Sequence, residues 1–456
     1  MEMNIDEKLF KAYDIRGIYP AQINNEFARV IGEAFGKYMG RGKKVAIGLD
    51  VRLSGKALMA SMLEGIASTG VEVNDLGMAP TPFIYFAIIK YGLDGGMIVT
   101  ASHNPKEWNG FKLYGSHGSV IGLGSGLERV MELAKKAEGK GSIESLKTKD
   151  LRADAMSAYR SFLLGSAHIK GRLSIGIDPG NGSYSGLASS VLREVGLEVT
   201  AINDTPDGSF PSRSPEPKPE SIGQLVDTVK SKGLDFGVAF DADGDRAIFV
   251  DEKGNVLRGD VSFALFIRHI LKRGESCVYE VSCSKLVEDE IAACGGKPII
   301  SRVGRAFILN RMMDEKASLG GETSGHTYFS EANNADDALF AAIKMAWILS
   351  SSGRGLSELV SAMPRYETSV RELDVDEEVK FRTIDILRKR LEESGYRVVT
   401  LDGVKVMRDD GWFILRASNT SPKIRLIAES DNKEGLEAVL DYAMVQFNTA
   451  YADASA

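Results

Sequence analysis

A strand–turn–helix pattern recurs three times along the chain and limits the folds that it can adopt. The segments Lys44–Leu49, Leu173–Ile177 and Val278–Val281 are short and apolar, which predicts three buried strands. A turn and an apolar helix pattern follow each of them, and the three units lie about 100 to 130 residues apart. Because this unit builds layered α/β domains, the sequence predicts three similar α/β/α domains.

The C-terminal part of the chain has a different pattern. Pro364 ends a helix pattern, and short strand patterns followed by one amphipathic helix come after it. These patterns predict a smaller α+β domain. A chain of 456 residues has room for three or four domains. The predicted domains are residues 1–150, 151–252, 253–365 and 366–456.

The charge and the apolar pattern exclude several classes of protein. The net charge is −7 and there is no block of Lys and Arg, so the sequence predicts no nucleic-acid partner. The N-terminus does not resemble a signal peptide and no run of about 18 apolar residues occurs, so no membrane partner is expected. The three cysteines fit neither a zinc pattern nor a disulfide framework, and reduced thiols predict a cytoplasmic protein.

The first candidate site is a serine that follows a predicted strand. Ser102 lies in the turn after Gly96–Val99, and ligands of α/β sheets bind beyond the carboxyl ends of strands. His103 and Lys112 could meet the charge of a phosphate, which makes Ser102 a candidate nucleophile or phosphoryl carrier. A capped turn without chemistry is the alternative. No GxSxG elbow is present, so a serine hydrolase is not predicted.

The second candidate site is a cluster of three aspartates. Asp241, Asp243 and Asp245 directly follow the apolar strand Phe236–Phe240, and Arg246 comes next. Three adjacent carboxylates repel one another and need a cation, and oxygen ligands select Mg²⁺ or Ca²⁺. The spacing does not fit an EF-hand, whereas Mg²⁺ suits phosphoryl transfer. The alternative is a solvated acidic turn.

Two further loops have the composition of ligand-binding loops. The glycine-rich segment 320–326 carries Glu322, Ser324 and His326, whose side chains can hydrogen-bond to sugar hydroxyls. The segment 416–422 together with Arg425 combines two guanidinium groups with small hydroxyl residues, which suits a phosphate dianion. A tight turn with a helix cap and a β-turn with solvated arginines are the respective alternatives.

The four loops together resemble those of the α-D-phosphohexomutase superfamily, in its phosphomannomutase/phosphoglucomutase branch. The motifs that carry the resemblance are Thr-Ala-Ser-His-Asn-Pro (100–105), Asp-Ala-Asp-Gly-Asp-Arg (241–246), Gly-Glu-Thr-Ser-Gly-His (321–326) and Arg-Ala-Ser-Asn-Thr-Ser-Pro (416–422). Residues 10–17 are similar to the N-terminal motif of the family, and the resemblance extends from about residue 10 to 430. It implies four domains around a central cleft, each contributing one loop.

The resemblance also implies a mechanism. Ser102 would carry a phosphoryl group and pass it to a hexose monophosphate, with a hexose 1,6-bisphosphate as intermediate and activator. One Mg²⁺ would be held by Ser102 and the three aspartates. Arg16, Lys112 and Arg246 would supply positive charge, and either Lys112 or His103 would exchange a proton with the sugar. The enzyme is expected to be a monomer or a homodimer.

The remaining residues implied by the resemblance bind the substrate. Glu322 and Ser324 are expected on the sugar hydroxyls, and Tyr13 and His326 are further substrate-binding residues. Those expected on the distant phosphate are Arg416, Ser418, Asn419, Thr420 and Arg425. In the third domain, a family Lys is replaced by Ser282 and a family His by Arg305. We expect Arg305 and Lys285 to take over part of the lost substrate contacts.

The preferred sugar stays open between three hexoses. Asn419 is similar to the mannose/glucose branch, and Thr323 is unusual at its position and leaves the sugar preference open. Phosphoglucosamine mutase is an alternative, and only Asn419 and Thr323 argue against it. A Mg²⁺-dependent phosphatase that uses Ser102, and a non-catalytic sugar-phosphate binding protein, are weaker alternatives.

Overall fold

The structure is a computed structural model and describes residues 5–139, 141–418 and 422–456. Its helices and strands form four units, each built on one sheet. The predicted fold class, three α/β/α domains and a smaller C-terminal α+β domain, is confirmed. The domain boundaries stay predictions.

The first unit has a six-stranded mixed sheet in the order β1-β5-β4-β2-β3-β6. The strands are β1 (Ile15–Ile18), β2 (Lys44–Leu49), β3 (Glu72–Met78), β4 (Gly95–Val99), β5 (Trp108–Gly115) and β6 (Thr148–Asp150). The helices are α1 (Asn25–Met39), α2 (Gly55–Ala67), α3 (Thr81–Lys90) and α4 (Leu127–Lys135). β4 is buried at all five positions because helices cover both faces of the sheet, which explains its unbroken apolar sequence.

The second and third units repeat this plan with shorter sheets. The second contains α5 (Arg152–Gly165), β7 (Ser174–Asp178), α6 (Leu187–Glu194), β8 (Glu198–Ala201), α7 (Gly223–Lys232), β9 (Phe236–Phe240) and β10 (Ala247–Asp251). The third contains α8 (Gly259–Ile270), β11 (Ser276–Glu280), α9 (Lys285–Ala293), β12 (Lys297–Ser301), α10 (Arg305–Glu315), β13 (Leu319–Gly321), β14 (Thr327–Phe329), β15 (Ala335–Asp336), α11 (Ala338–Ser352) and α12 (Leu356–Ser361). Their strand orders are β10-β9-β7-β8 and β12-β11-β13-β14-β15.

The same connection carries a candidate loop in each of these three units. A strand of the parallel part of the sheet runs into an antiparallel neighbour, as β4 into β5, β9 into β10 and β13 into β14. The Ser102 loop, the aspartate loop and the glycine-rich loop are these three connections. The recurrence therefore places the three loops at equivalent ends of three sheets.

The fourth unit is an antiparallel sheet packed against two helices. Its elements are β16 (Glu367–Asp374), α13 (Lys380–Glu392), β17 (Arg397–Val399), β18 (Val404–Arg408), β19 (Gly411–Ala417), β20 (Lys423–Ser430) and α14 (Lys433–Ser455). Its core is separate, whereas one continuous apolar core joins the first three units. Within the described part of the chain, no helix is both long and apolar enough to cross a bilayer.

Candidate active site

The Ser102 loop is held in a strained conformation at the end of β4. Ser102 is 1% exposed and has a φ of 52°, in the left-handed region that a residue other than glycine rarely adopts. Its backbone N–H donates to Thr100 Oγ1 at 2.8 Å, and the Thr100 hydroxyl donates to Asp50 Oδ2 at 2.7 Å. These bonds fix the position of the serine, whose Oγ lies 3.3 Å from Nδ1 of His103.

The aspartate loop faces this serine. Ser102 Oγ donates to Asp241 Oδ2 at 3.4 Å, which joins two residues 139 positions apart in the sequence. Asp241, Asp243 and Asp245 are buried, and each offers an oxygen within 4.8 Å of the others. The predicted phosphoryl carrier and the predicted metal ligands therefore lie side by side.

Lys112 neutralises part of the aspartate cluster. Its Nζ donates to Asp243 Oδ2 at 2.6 Å and to Asp245 Oδ2 at 2.5 Å. Burial lowers the pKa of the Lys112 ammonium, but the two carboxylates outweigh burial and raise it overall. For Asp241, burial and the neighbouring carboxylates raise the pKa well above its usual range. The cluster is therefore short of positive charge.

The donor set of the cluster fits a hard divalent cation. Oδ1 of Asp243 and Oδ1 of Asp245 are buried and accept no hydrogen bond from the described residues. Buried carboxylate oxygens without partners are unfavourable unless a cation or a proton meets them. Oxygen ligands of this kind select Mg²⁺ over softer metals.

A chain of charged groups connects the aspartate loop to the third unit. Arg246 Nε donates to His326 Nε2 at 2.9 Å, and His326 Nδ1 lies 2.9 Å from Asp336 Oδ2. Arg305 Nε donates to both oxygens of Asp336, each at 2.9 Å. Burial alone would raise the pKa of Asp336, but Arg305 and His326 lower it overall. The residues Arg246, His326 and Arg305 are thus held in one network.

These groups surround one central pocket. Its lining residues are Tyr13, Arg16, Ser102, Lys112, Tyr114, Val120, Asp245, Arg246, Arg305, Glu322 and His326. Arg16 reaches it through the N-terminal motif, where its Nη1 donates to Asn104 Oδ1 at 2.8 Å. His103 adjoins the pocket through Ser102, and burial followed by the charge of Arg246 holds the pKa of His103 well below its usual value. Most of the predicted catalytic residues are therefore brought together.

The glycine-rich loop presents polar side chains at the pocket. Glu322 Oε1 accepts a hydrogen bond of 2.5 Å from the Tyr328 hydroxyl. Ser324 Oγ is buried and has no hydrogen-bond partner among the described residues. The backbone N–H of Thr323 donates to Glu280 Oε1 at 3.0 Å, and the Thr323 hydroxyl donates to the same oxygen. The side chain of Thr323 is therefore bonded to Glu280 and does not line the central pocket.

Other predicted substrate contacts lie away from the central pocket. Lys285 is exposed and its Nζ lies 5.2 Å from the centre of the Tyr366 ring. Arg416 and Arg425 are directly opposite each other on β19 and β20, and Ser418 follows β19. Arg425 Nη2 donates to Glu372 Oε1 at 3.1 Å. The predicted residues Asn419 and Thr420 lie outside the described residues.

The sequence does not predict several residues that support the site. Arg52 and Asp50 organise the Ser102 loop, Asp336 joins Arg305 to His326, and Glu280 supports the glycine-rich loop. The only local signal was a polar residue at the end of an apolar strand, as Asp50 follows β2 and Glu280 ends β11.

The chain matches four sequence families in order. They are the alpha/beta/alpha domains I, II and III and the C-terminal domain of phosphoglucomutase/phosphomannomutase, which match residues 7–138, 155–254, 258–366 and 372–444. Together these families cover most of the chain.

Two curated relatives are similar over nearly the whole length. A phosphoglucomutase/phosphomannomutase of Thermococcus kodakarensis is 35% identical, with 95% of this chain and 97% of the relative covered. A probable phosphoglucosamine mutase of Methanopyrus kandleri is 33% identical, with 95% and 96% covered. Relatives named for different sugars are thus similar to this chain to nearly the same degree.

Solved structures share the whole fold. A phosphoglucomutase/phosphomannomutase family protein of Burkholderia thailandensis has a TM-score of 0.89 at 30% identity, covering 98% of both chains. An N-acetylphosphoglucosamine mutase of Aspergillus fumigatus, solved in complex with GlcNAc-6P and magnesium, has a TM-score of 0.61 at 14% identity, covering 100% of this chain and 98% of that one. At that identity, the second likeness shows the fold alone.

Proposed function

The chain belongs to the phosphoglucomutase/phosphomannomutase family, and on this premise we propose that Ser102 is the phosphoryl carrier of an intramolecular phosphotransferase. The reaction interconverts a hexose 1-phosphate and a hexose 6-phosphate. One observation carries the assignment of Ser102: its Oγ lies 3.4 Å from Asp241 in a buried carboxylate cluster, on a loop that faces the central pocket. A serine in a solvated turn would have no such neighbours.

We infer that the cluster binds one Mg²⁺. The residues that would hold it are Asp241, Asp243, Asp245 and the oxygen of Ser102. Oδ1 of Asp243 and Oδ1 of Asp245, which have no partner within the described part of the chain, support this donor set. Bound there, Mg²⁺ would offset the negative charge of the phosphoryl group.

The other residues around Ser102 contribute positive charge and position the reacting groups. Arg16, Lys112 and Arg246 place cationic groups around Ser102, and phosphoryl transfer depends mainly on positioning and on charge stabilisation. The Ser102 oxygen gives its phosphoryl group to the free hydroxyl of the hexose monophosphate and later takes back the other phosphoryl group. His103, whose pKa is held low, can accept the proton of that hydroxyl, whereas Asp243 and Asp245 hold Lys112 in its charged form.

Sugar and distant phosphate are held by the other loops. Glu322, which lines the pocket, offers hydrogen bonds to sugar hydroxyls in either orientation of the bisphosphate intermediate. The Ser324 hydroxyl, which has no partner among the described residues, is a second candidate for such a bond. Arg416 and Arg425 would hold the phosphate that does not react. Arg305, buried in the pocket wall, takes part of the substrate contacts of the third domain, and Lys285 is a second candidate for this role.

The substrate class is a mannose or glucose phosphate, with glucosamine phosphate as the second candidate. The similarity to the Methanopyrus kandleri relative favours keeping this candidate. A coupled assay with mannose 1-phosphate, glucose 1-phosphate and glucosamine 1-phosphate, run with catalytic hexose 1,6-bisphosphate, would rank the three sugars. Release of free phosphate during turnover would instead indicate a phosphatase.

The same assay tests the role of Ser102. The Ser102→Ala variant is expected to lose turnover of all three sugars, whereas Ser145→Ala, at an exposed position far along the chain, is expected to keep it. Full activity of the Ser102→Ala protein would refute the mechanism.

A further inference from the structure

Arg52 is a buried arginine whose hydrogen-bonding capacity is entirely used by one loop and one aspartate. Its side chain is 0% exposed, and its Nε donates to Asp50 Oδ2 at 3.0 Å. Nη1 donates to the carbonyl oxygens of Pro105 and Trp108 at 2.7 and 2.8 Å. Nη2 donates to the carbonyl oxygens of Ser102 and Asn104 at 2.6 and 2.7 Å. All five N–H groups of a guanidinium therefore have partners.

Three of the four carbonyl groups belong to the connection between β4 and β5, which includes Ser102, and the fourth is that of Trp108, the first residue of β5. Carbonyl groups that converge on one point repel one another, and a buried cation with a planar fork of donors can bring them together. The left-handed φ of 52° at Ser102 is unfavourable by itself and needs such support from its surroundings. Arg52 thus holds the loop without lining the central pocket.

Arg52 also contacts the second domain. Its backbone pairs with that of Gly208, and its guanidinium carbon lies 5.5 Å from the centre of the Phe210 ring. Phe210 packs with Val51 and with Ala242, the residue between the first two aspartates of the metal loop. One side chain is therefore in contact with the Ser102 loop and, through Phe210, with the aspartate loop.

We propose that Arg52 is a positioning residue that sets where Ser102 Oγ lies relative to the aspartate loop. The inference rests on the proposed function, because it matters only if Ser102 carries the phosphoryl group. Arg52 is buried and does not line the central pocket, so the proposal gives it no contact with the substrate. A lysine at this position offers three donors from a single point, so it cannot hold four carbonyl groups and Asp50 together.

The test compares Arg52→Lys with Arg268→Lys in the full-length chain. Arg268 is also held by a carboxylate and a carbonyl, those of Glu290 and Ala362, but none of these three residues lines the central pocket. For each variant, kcat and KM for glucose 1-phosphate are measured well below the melting temperature, and phosphate on the chain is counted by intact mass. Turnover is then expressed per phosphorylated chain.

Arg52→Lys is expected to lower turnover per phosphorylated chain on the order of 100-fold while KM changes less than threefold, because small displacements of reacting groups have effects of this size. Arg268→Lys is expected to keep turnover within twofold. A merely structural role would lower the folded fraction and leave turnover per phosphorylated chain unchanged, and that result would overturn the inference.

Two further variants keep the outcome decisive. If Arg52→Lys does not fold, Phe210→Leu takes its place, since it removes the ring over the guanidinium and keeps an apolar side chain. A tenfold loss of turnover at unchanged KM is then expected, and turnover within twofold of the wild type would overturn the inference. Ser102→Ala separates the two claims: an active Ser102→Ala protein refutes the proposed function, whereas an inactive one beside a fully active Arg52→Lys refutes only the role of Arg52.

Discussion

Glu280 gives the sharpest prediction about stability, because it is a buried carboxyl group that forms no ion pair with any of the described residues. It is 1% exposed at the end of β11, where Oε1 accepts two hydrogen bonds from Thr323. Burial, and then the charge of Glu322, raise the pKa of Glu280 from 4.5 to about 7. At about 1.4 kcal/mol per pKa unit, this difference means that the folded state favours the neutral form of Glu280 by roughly 3 kcal/mol more than the unfolded chain does.

The sign of the pH dependence follows from proton binding. Between about pH 4.5 and pH 7 the folded state keeps the Glu280 proton that the unfolded chain has lost. Folding is therefore weakened as the pH rises through this window. Glu280→Gln keeps an acceptor oxygen for Thr323 and cannot ionise. The variant should exceed the wild type in stability by roughly 3 kcal/mol at pH 8 and by less than about 1 kcal/mol at pH 5.

Thermal unfolding of both proteins at pH 5, 6, 7 and 8 measures this difference. Because one continuous apolar core joins the first three units, we expect them to unfold together, and the melting temperature of Glu280→Gln should exceed that of the wild type by on the order of 5 °C at pH 8. The advantage should shrink towards pH 5. Asp314→Asn, at an exposed position of the same domain, is the control. An equal difference in melting temperature at pH 5 and pH 8 would refute the reasoning.

Three other variants test separate parts of the structure. Arg305→Ala should raise KM for each hexose 1-phosphate on the order of tenfold in the coupled assay, and an unchanged KM would remove Arg305 from the substrate contacts. Lys112→Met leaves two buried carboxylates without their cation, so in EDTA it should lose about 3 kcal/mol of stability, and Mg²⁺ should raise its melting temperature more than that of the wild type. An equal response to Mg²⁺ would contradict this. Tyr159→Phe removes one of two tyrosine hydroxyls that donate to buried Asp337 and should cost about 1–3 kcal/mol in urea unfolding, whereas an unchanged midpoint would argue against that network.

The strands and loops could be predicted because their signals are local. β2 and β9 coincide with the predicted strands Lys44–Leu49 and Phe236–Phe240, since strands buried on both faces have unbroken apolar sequences. An aspartate directly follows each of these two strands. The adjacent carboxylates of the metal loop are likewise visible within five residues. Side chains whose role depends on their own loop could therefore be predicted from the sequence.

The supporting residues could not be predicted because their partners are distant in the sequence. Arg52 bonds to carbonyl groups 50 to 56 positions away, and Asp336 meets Arg305 31 positions away. A buried arginine and a solvated one have the same local sequence signal. The place of Lys285, whose backbone N–H donates to Glu429 Oε1, also depends on how the third and fourth domains meet, which no local pattern records.

The central claim is that Ser102 carries the phosphoryl group, and mapping the phosphate on the chain tests it most directly. The protein is incubated with glucose 1,6-bisphosphate and digested, and the phosphopeptides are located by mass spectrometry before and after excess glucose 1-phosphate is added. One phosphate per chain is expected, on the peptide that contains Ser102, and it should pass to the added sugar. An active protein that carries no phosphate on Ser102 at any stage would contradict the claim.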